Sequence, residues 1–315
     1  MKIAIVGPGI MPIPPTGWGA VEILIWDSKN ALEKLGHSVE IINTQNPNLI
    51  IQKINQYRPD FVHIQYDDFI QLYPYVQYPC AITSHFGYLE QYDKWGYYGN
   101  RIAKPFSQIK PNIFCLSTGI KDVYKNILSI PEERLFVTPN GVNISNFLFK
   151  DNPRYSDRSI FLAKIDYRKR QHMFQNIDSL WYAGNNADPR FDTNKNYLGE
   201  WSKEFLYTNL TDYGNLVLLS DGEAHPLVCM EALAAGLGVV VTECGKANLD
   251  QSKDFITVIP ENKINDIEYV ESKIVDNRIY SINNRIEIKK YSENFDWINI
   301  MKKYYIPNVL KVIGL

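Results

Sequence analysis

Short apolar runs recur along the chain, and each is separated from the next by a stretch with helical spacing or by a polar loop. They lie at residues 2–6, 39–42, 61–64, 81–84, 112–116 and 135–137 in the first half, and at 159–162, 180–184, 216–219, 238–242 and 256–259 in the second. Such runs are typical of strands buried on both faces, and their alternation with helices indicates parallel sheets. A chain of 315 residues has room for two domains. The pattern therefore predicts two similar α/β domains with doubly wound parallel sheets, facing each other across a cleft.

A polar stretch, residues 150–157, interrupts this alternation and contains Pro153. It indicates an interdomain linker, which places the first domain at 1–153 and the second at 154–297. Residues 298–315 carry an apolar stripe that has no place in the polar tail before it. We therefore predict that this last helix crosses back and completes the first domain.

The stretch 220–236 joins two of the apolar runs. Pro226 suits the first turn of a helix and Gly236 suits its end. The helix N-terminus then points out of the carboxyl end of a parallel sheet, with free amides at Leu227 and Val228. Because such amides and the helix dipole together attract phosphate, we predict an anion-binding site there.

Two carboxylates flank this predicted anion site. Glu223 lies in the loop before the helix, and Glu231 lies about five residues into it, roughly 7.5 Å along the axis. One end therefore suits a sugar and the other a ribose. The same residues also fit a surface carboxylate and a solvated helix residue, so both interpretations stay open.

Four basic residues crowd the exit of the strand predicted at 159–162, namely Lys164, Arg168, Lys169 and Arg170. This is the carboxyl edge of the domain with the predicted anion site, so Lys164 and Lys169 are candidates for binding one diphosphate. A solvated basic face is the alternative interpretation.

In the first half, Gly17 and Gly19 stand at a loop-to-helix junction, where glycine either lets backbone approach a ligand or forms a plain tight turn. His85 directly follows a strand, so it either binds an acceptor hydroxyl at the ligand-binding edge or is structural. His63 lies inside its strand and is predicted to be core. The aromatic-rich stretch 86–98 fits an acceptor-binding surface, a peripheral membrane contact or a packed loop.

Composition and short patterns narrow the function classes. The net charge of −2 gives no attraction to nucleic acid. Pro12 breaks the G-x-G-x-x-G pattern after the first strand, which disfavours a nicotinamide-dependent oxidoreductase. The four cysteines form no C-x-x-C pair, Met1 leads straight into a strand, and no run of about eighteen apolar residues occurs, so we expect a cytoplasmic protein with reduced thiols. No D-x-D triplet is present, so no metal clamp is indicated.

With these residues the chain resembles the retaining glycosyltransferases of family 4, which have the GT-B fold of two Rossmann-like domains. The resemblance rests on the E-x7-E from Glu223 to Glu231, the V-T-P-N-G-V at 137–142, the glycine pair and the two lysines. It implies transfer of a sugar from a nucleoside diphosphate sugar, a UDP- or GDP-sugar, to an acceptor hydroxyl with retained configuration. The acceptor would be a glycan, a lipid-linked molecule or a small molecule, and neither a cofactor nor a metal is expected.

By this resemblance Glu223, His85 and Lys169 have catalytic roles, with Glu223 at the donor sugar. The residues assigned to donor binding, by the helix argument or by the resemblance, are Gly17, Gly19, Lys164, Lys169, His225, Leu227, Val228 and Glu231. The family usually has arginine in place of Lys164 and a glycine-containing run where Pro226 stands, which leaves the donor's identity open. A nucleotide-sugar epimerase or hydrolase and a non-catalytic sugar-nucleotide or glycan-binding protein remain alternatives.

Overall fold

The structure, a computed structural model, describes residues 1–15 and 19–315. The predicted ligand-binding residue Gly17 lies outside these described residues. The chain divides into two compact units, of which unit 1 is Met1–Gly141 together with Trp297–Leu315 and unit 2 is Val142–Asp296.

The division between the units falls before the linker predicted at 150–157. Lys150, within that stretch, is bound inside unit 2: its backbone N–H donates to Thr211 Oγ1 at 2.9 Å, and its ammonium pairs with Asp212 at 2.7 Å. The stretch therefore belongs to unit 2 and does not separate the two units, although most of its other polar residues are exposed.

Unit 1 contains a six-stranded sheet in which all neighbouring strands are parallel. Its strands are β1 (Lys2–Gly7), β2 (Ser38–Asn43), β3 (Phe61–Ile64), β4 (Cys80–Ile82), β5 (Ile113–Cys115) and β6 (Leu135–Val137), in the order β2-β1-β3-β4-β5-β6. The helices between them are α1 (Ala20–Lys34), α2 (Pro47–Tyr57), α3 (Lys104–Ile109) and α4 (Thr118–Asn126).

Unit 2 contains a five-stranded sheet, also parallel throughout. Its strands are β7 (Tyr155–Leu162), β8 (Leu180–Ala183), β9 (Tyr213–Leu218), β10 (Gly238–Thr242) and β11 (Ile256–Ile259), in the order β11-β10-β9-β7-β8. Its helices are α5 (Lys203–Asn209), α6 (Leu227–Ala234), α7 (Ile267–Asn283) and α8 (Arg285–Tyr291).

Burial explains why several of these strands are nearly unbroken apolar runs in the sequence. All residues of β9 and β10 are buried, as are all but the first of β1. A strand covered on both faces has no solvent side that would call for alternating polar residues. The prediction of a parallel α/β sheet in each half of the chain is confirmed.

The last segment returns to unit 1 as α9 (Trp297–Ile300), a π-helical turn (Met301–Tyr305) and α10 (Ile306–Ile313). The Tyr305 ring meets Phe61 and Phe114 edge-on, with centroids 6.5 and 5.5 Å away. The side-chain amide of Asn308 donates to Val137 O at 2.9 Å. These contacts attach the segment to β3, β5 and β6, and most of its apolar stripe is buried, namely Trp297, Met301, Tyr305 and Val309.

A fully buried guanidinium group links several segments of unit 2 by hydrogen bonds. Arg285, at the start of α8, is 1% exposed. It donates to the carbonyl oxygens of Lys150, Thr211, Tyr213 and Ala235 and to the Thr211 hydroxyl. Burial lowers the pKa of Arg285 to about 10, so the group remains charged at neutral pH. One side chain thus joins three chain stretches to α8.

We expect Arg285→Met to destabilise unit 2 by about 3 kcal/mol, because several buried carbonyl oxygens lose their donor at once. For a unit of this size that lowers Tm by about 10 °C. The matched control is Lys290→Met, which removes an exposed cation from the same helix. Thermal unfolding followed by circular dichroism measures both, and equal melting temperatures for the two variants would contradict this role.

Candidate functional site

Two loops of unit 2 leave the sheet side by side. β7 pairs with β9 although β8 lies between them in the sequence. The loops that follow them, 163–171 and 219–226, therefore start at the same carboxyl edge, where doubly wound sheets bind ligands. Arg168 Nη1 donates to Gly222 O at 2.6 Å, and the Asp221 N–H donates to Arg168 O at 2.8 Å. These bonds lock the two loops to each other.

Glu223 lies where the two loops meet. Its Oε1 accepts hydrogen bonds from the Lys169 ammonium and from Ser220 Oγ, the latter at 2.6 Å, and Arg168 Nη1 is 3.8 Å away. The side chains of Glu223 and Lys169 are only 10% and 11% exposed. Glu223 is therefore a buried, paired carboxylate and not the surface group that the sequence also allowed.

Electrostatics keep this carboxylate charged. Burial by itself raises the pKa of Glu223, but the charges of Lys169 and Arg168 and the hydrogen bonds from Lys169 and Ser220 outweigh it and hold the pKa below its ordinary value. All of these contacts are to Oε1. Oε2 has no hydrogen-bond donor among the residues that the structure describes, so it is available to a ligand hydroxyl.

The helix that follows begins without a capping side chain. The sequence predicted Pro226 in the first turn of this helix. Its ψ of 113° is extended and not helical, so Pro226 is the N-cap, one residue before the first turn. Leu227 and Val228 are the first two residues of α6 and are partly exposed. His225, just before, is buried near the Phe295 ring. An uncapped helix start leaves amides for an anion.

Glu231, the fifth residue of α6, is 5% exposed. Its Oε1 accepts a hydrogen bond from the ammonium of Lys203, the first residue of α5, at 2.8 Å. Glu231 is therefore not a solvated helix residue. Within the described ranges no donor contacts its Oε2, which leaves that oxygen for a ligand.

The other predicted donor residues have different surroundings. Lys169 is buried against Glu223, whereas Lys164 is exposed and has no ion pair with any described residue. Gly19 is the N-cap of α1 with a φ of 142°, a value that strains any other residue, and a Cβ there would lie 3.0 Å from Glu22 Oε2. The structure thus brings Lys169, but not Lys164, into the cluster around Glu223.

His85 lies in unit 1, where it lines a pocket of about 260 Å³. Burial lowers the pKa of His85 to about 4, so its ring is neutral at physiological pH. Asp67 lines the same pocket and accepts hydrogen bonds from the Tyr98 hydroxyl at 2.8 Å and from Ser84 Oγ. Burial raises the pKa of Asp67, partly offset by these two hydrogen bonds. The pocket therefore offers both a neutral imidazole and a carboxyl group.

The aromatic-rich stretch 86–98 is packed only in part. Trp95 and Tyr98 are buried, and the Phe86 ring stacks on Tyr98 with centroids 3.9 Å apart. Tyr97 is exposed at the pocket's edge. Of the three interpretations that the sequence allowed, the packed loop describes the buried part, and the same loop forms one wall of the His85 pocket.

Several side chains of these sites carry no sequence signal of their own. Lys203 and Asp67 meet their partners through the tertiary fold, and no motif or periodicity marks them. Ser220 alone had a local cue, since a small hydroxyl residue at a strand exit is well placed to bond a loop carboxylate.

Three features of the described residues bear on other classes of site. No three of their His, Cys, Asp or Glu side chains converge as metal ligands would. None of their helices combines the length and the hydropathy needed to cross a membrane. Cys80, Cys115, Cys229 and Cys244 are all free thiols, and the first three are buried.

No protein-family model and no curated protein sequence matches the chain significantly. Its structure is nevertheless similar over almost its full length to solved proteins. HepE from Anabaena, solved with UDP and glucose, has a TM-score of 0.71 at 13% identity over 98% of this chain and 99% of its own. Sucrose-phosphate synthase from Thermosynechococcus elongatus has 0.73 at 14% identity over 96% of each chain. The fold is GT-B.

A third GT-B structure, the lipopolysaccharide outer core galactosyltransferase WaaB, has a TM-score of 0.64 at 14% identity over 98% of this chain and 99% of its own. The GT-B fold consists of two Rossmann-like domains, which correspond to the two parallel-sheet units described above. At identities this low the likeness is one of fold, so the chemistry of this chain is argued from its own residues.

We expect Glu223→Gln to destabilise the protein by about 3 kcal/mol, because the buried Lys169 ammonium loses its only carboxylate partner among the described residues. Lys169→Met should cost less, since Arg168 and Ser220 still contact Glu223. Lys164→Met, at an exposed lysine, is the control and should change little. Chemical denaturation at pH 7 measures all three, and the reverse order of the first two would contradict the arrangement.

The same pair predicts a pH dependence. The pKa of Glu223 is lower in the folded protein than its ordinary value. Its stabilisation is therefore complete above the unfolded-state pKa of about 4.3 and is lost as the pH falls through the lower folded-state value. The difference in unfolding free energy between wild type and Glu223→Gln should shrink below about pH 4.

Proposed function

We propose that this GT-B protein is a retaining glycosyltransferase of the family 4 type, which transfers a sugar from a UDP- or GDP-sugar to an acceptor hydroxyl. The observation that carries the proposal is the cluster at the carboxyl edge of unit 2. A buried carboxylate, a buried ammonium and an uncapped helix start lie within two adjoining loops. That combination suits a ligand with both a sugar and a diphosphate.

In this proposal the diphosphate lies at the start of α6. The amides of Leu227 and Val228 and the dipole of α6 supply partial positive charge. The Lys169 ammonium has three N–H donors, of which Glu223 occupies one, so others remain for phosphate oxygens. Lys164, exposed two residues after the end of β7, adds a second cation. Fixed positive charge stabilises the departing diphosphate by a few kcal/mol per donor group, by analogy with oxyanion sites.

The two glutamates have separate tasks in the proposal. Oε2 of Glu231, held in place through the Lys203 contact at Oε1, accepts hydrogen bonds from the ribose hydroxyls. Oε2 of Glu223 accepts a hydroxyl of the donor sugar, and the carboxylate's negative charge lies where positive charge develops on the sugar. Lys169 and Ser220 fix the orientation of Glu223 before the ligand arrives.

His85 serves the sugar and acceptor end of the reaction. Its ring is neutral because burial lowers its pKa, so it accepts or donates a hydrogen bond without adding charge. The acceptor is a glycan, a lipid-linked molecule or a small molecule. A cytoplasmic protein with peripheral membrane contact is compatible with all three.

We expect substitutions of the two glutamates to have different effects on binding and on turnover. Glu231→Ala should weaken binding of the free nucleoside diphosphate about tenfold to a hundredfold, because ribose is held equally in the ground and transition states. Glu223→Gln should leave that binding nearly intact while lowering kcat about a hundredfold, much more than it raises the donor KM. A thermal-shift panel of UDP, GDP and their sugars first selects the nucleotide. Calorimetric titration and donor kinetics then compare the variants.

The matched control for these variants is Glu204→Ala, which removes an exposed carboxylate from α5 beside Lys203. It should leave both binding and turnover unchanged. Loss of nucleotide binding in Glu223→Gln with retention in Glu231→Ala would mean that the ligand runs in the opposite direction. Absence of any stabilisation by nucleotides across the panel would contradict the proposed function itself.

We also expect turnover without a divalent metal, since Lys169, Lys164 and the α6 amides take the charge of the diphosphate. Activity in excess chelator should equal activity in magnesium, measured by an assay of released nucleoside diphosphate that is itself insensitive to metal. Loss of turnover in chelator that magnesium or manganese restores would contradict this part of the proposal.

A further inference from the structure

A continuous chain of buried polar side chains leads to His85 from the interior of unit 1. His85 Nε2 lies 2.9 Å from Gln65 Oε1, and the Gln65 amide nitrogen lies 3.3 Å from His63 Nδ1. His63 Nε2 lies 2.8 Å from Thr83 Oγ1. Gln65, His63 and Thr83 are 7%, 2% and 2% exposed, so water does not replace these contacts.

Thr83, at the interior end of this hydrogen-bonded series of side chains, determines which atoms carry the protons. Thr83 Oγ1 donates to the Phe114 carbonyl oxygen at 3.1 Å, and we assign its single proton to that bond because a carbonyl oxygen can only accept, whereas His63 Nε2 can also donate. Toward His63 the Thr83 oxygen is then an acceptor, and His63 Nε2 must carry a proton. Burial, followed by the neighbouring His85, lowers the pKa of His63 to about 3, so the ring holds that one proton only.

The assignment continues outward from His63. Its Nδ1 carries no proton, and its one lone pair is shared between two donors, the Gln65 amide at 3.3 Å and the Tyr305 hydroxyl at 3.2 Å. With its NH2 group turned to His63, Gln65 presents its oxygen to His85. An amide oxygen only accepts, so the proton of the neutral His85 ring lies on Nε2. Nδ1 of His85 has no hydrogen bond with any described residue.

We propose that Gln65 is a positioning residue, which holds His85 as the Nε2–H tautomer so that its Nδ1 lone pair accepts a hydrogen bond from a sugar hydroxyl. The pocket that His85 lines fits such a ligand, since Phe86 and Tyr98 supply aromatic surface and Asp67 and Asp68 supply carboxylates. The identity of the hydroxyl rests on the proposed function, whereas the tautomer of His85 does not.

The test is to read the tautomer directly in the full-length protein without substrate. Long-range ¹H–¹⁵N correlation spectra of histidine-labelled protein distinguish Nε2–H, Nδ1–H and doubly protonated rings, and His85→Asn assigns the signal among the five histidines. At pH 7 we expect His85 as Nε2–H. Gln65→Leu should produce a mixture of both tautomers. Nδ1–H or a doubly protonated ring in the wild type would overturn the inference.

The matched pair Thr83→Val and Thr83→Ser tests the chain from its far end, since Thr83 is not among the residues lining the pocket. Valine has the shape of threonine but no hydroxyl, so it releases His63 and, through Gln65, should populate Nδ1–H at His85. Serine keeps the hydroxyl and should restore the wild-type spectrum. An unchanged His85 signal in Thr83→Val would overturn the inference, because a merely structural residue would not move that signal.

Kinetics supply the functional readout. With a nucleotide sugar that the protein turns over, Gln65→Leu and Thr83→Val should lower kcat/KM about tenfold, the value of one hydrogen bond, and Thr83→Ser should restore it. Full activity in both variants despite a changed tautomer would overturn the positioning role. Failure of the wild type to turn over any nucleotide sugar would instead overturn the proposed function, while the spectra still decide the tautomer.

Discussion

Parallel pairing of every strand is the constraint on which the sites of this protein depend. In a parallel sheet all carboxyl ends lie at one edge, so the loops that follow neighbouring strands meet there whatever their separation in sequence. β7 pairs with β9, which brings together Lys169 and Glu223 although they are 54 residues apart. In the same way β3 pairs with β4, which brings Gln65 to His85. A change in strand order would separate both pairs while leaving every local element intact.

Local patterns were sufficient to predict the strands and the helix after β9. A completely buried strand is visible in the sequence as an apolar run, and a helix end is visible as a glycine. Gly236, with a φ of 84°, ends α6 as predicted. The sequence did not indicate which side chains contact each other. Residues 150–157 were predicted to form a linker because they are polar. Nothing in the sequence around Lys150 indicates that its partners are Thr211 and Asp212. Likewise nothing local to Glu231 points to Lys203, and the ligand roles of the predicted residues stay predictions.

Each unit contains a buried ionisable group, and the one in unit 2 is charged whereas the one in unit 1 is neutral. At Glu223 a cation and hydrogen-bond donors keep a buried carboxylate ionised, since its pKa stays low despite burial. At His85 burial lowers the pKa of the imidazole to about 4 and so keeps the ring neutral. In each unit, hydrogen bonds with neighbouring residues fix the orientation of the group: Lys169 and Ser220 at Glu223, and Gln65 at His85.

The path of the chain through unit 1 also sets an order of assembly. Tyr305, which packs on Phe61 and Phe114 and bonds His63, is translated only after the whole of Val142–Asp296. During synthesis unit 2 is therefore an uninterrupted segment that can fold as it leaves the ribosome, whereas the apolar surface of β3 and β5 stays without its Tyr305 cover until the last segment is made. The imidazole network behind His85 gains its tyrosine last, so every residue of the buried carboxylate cluster is synthesised before that network can be complete.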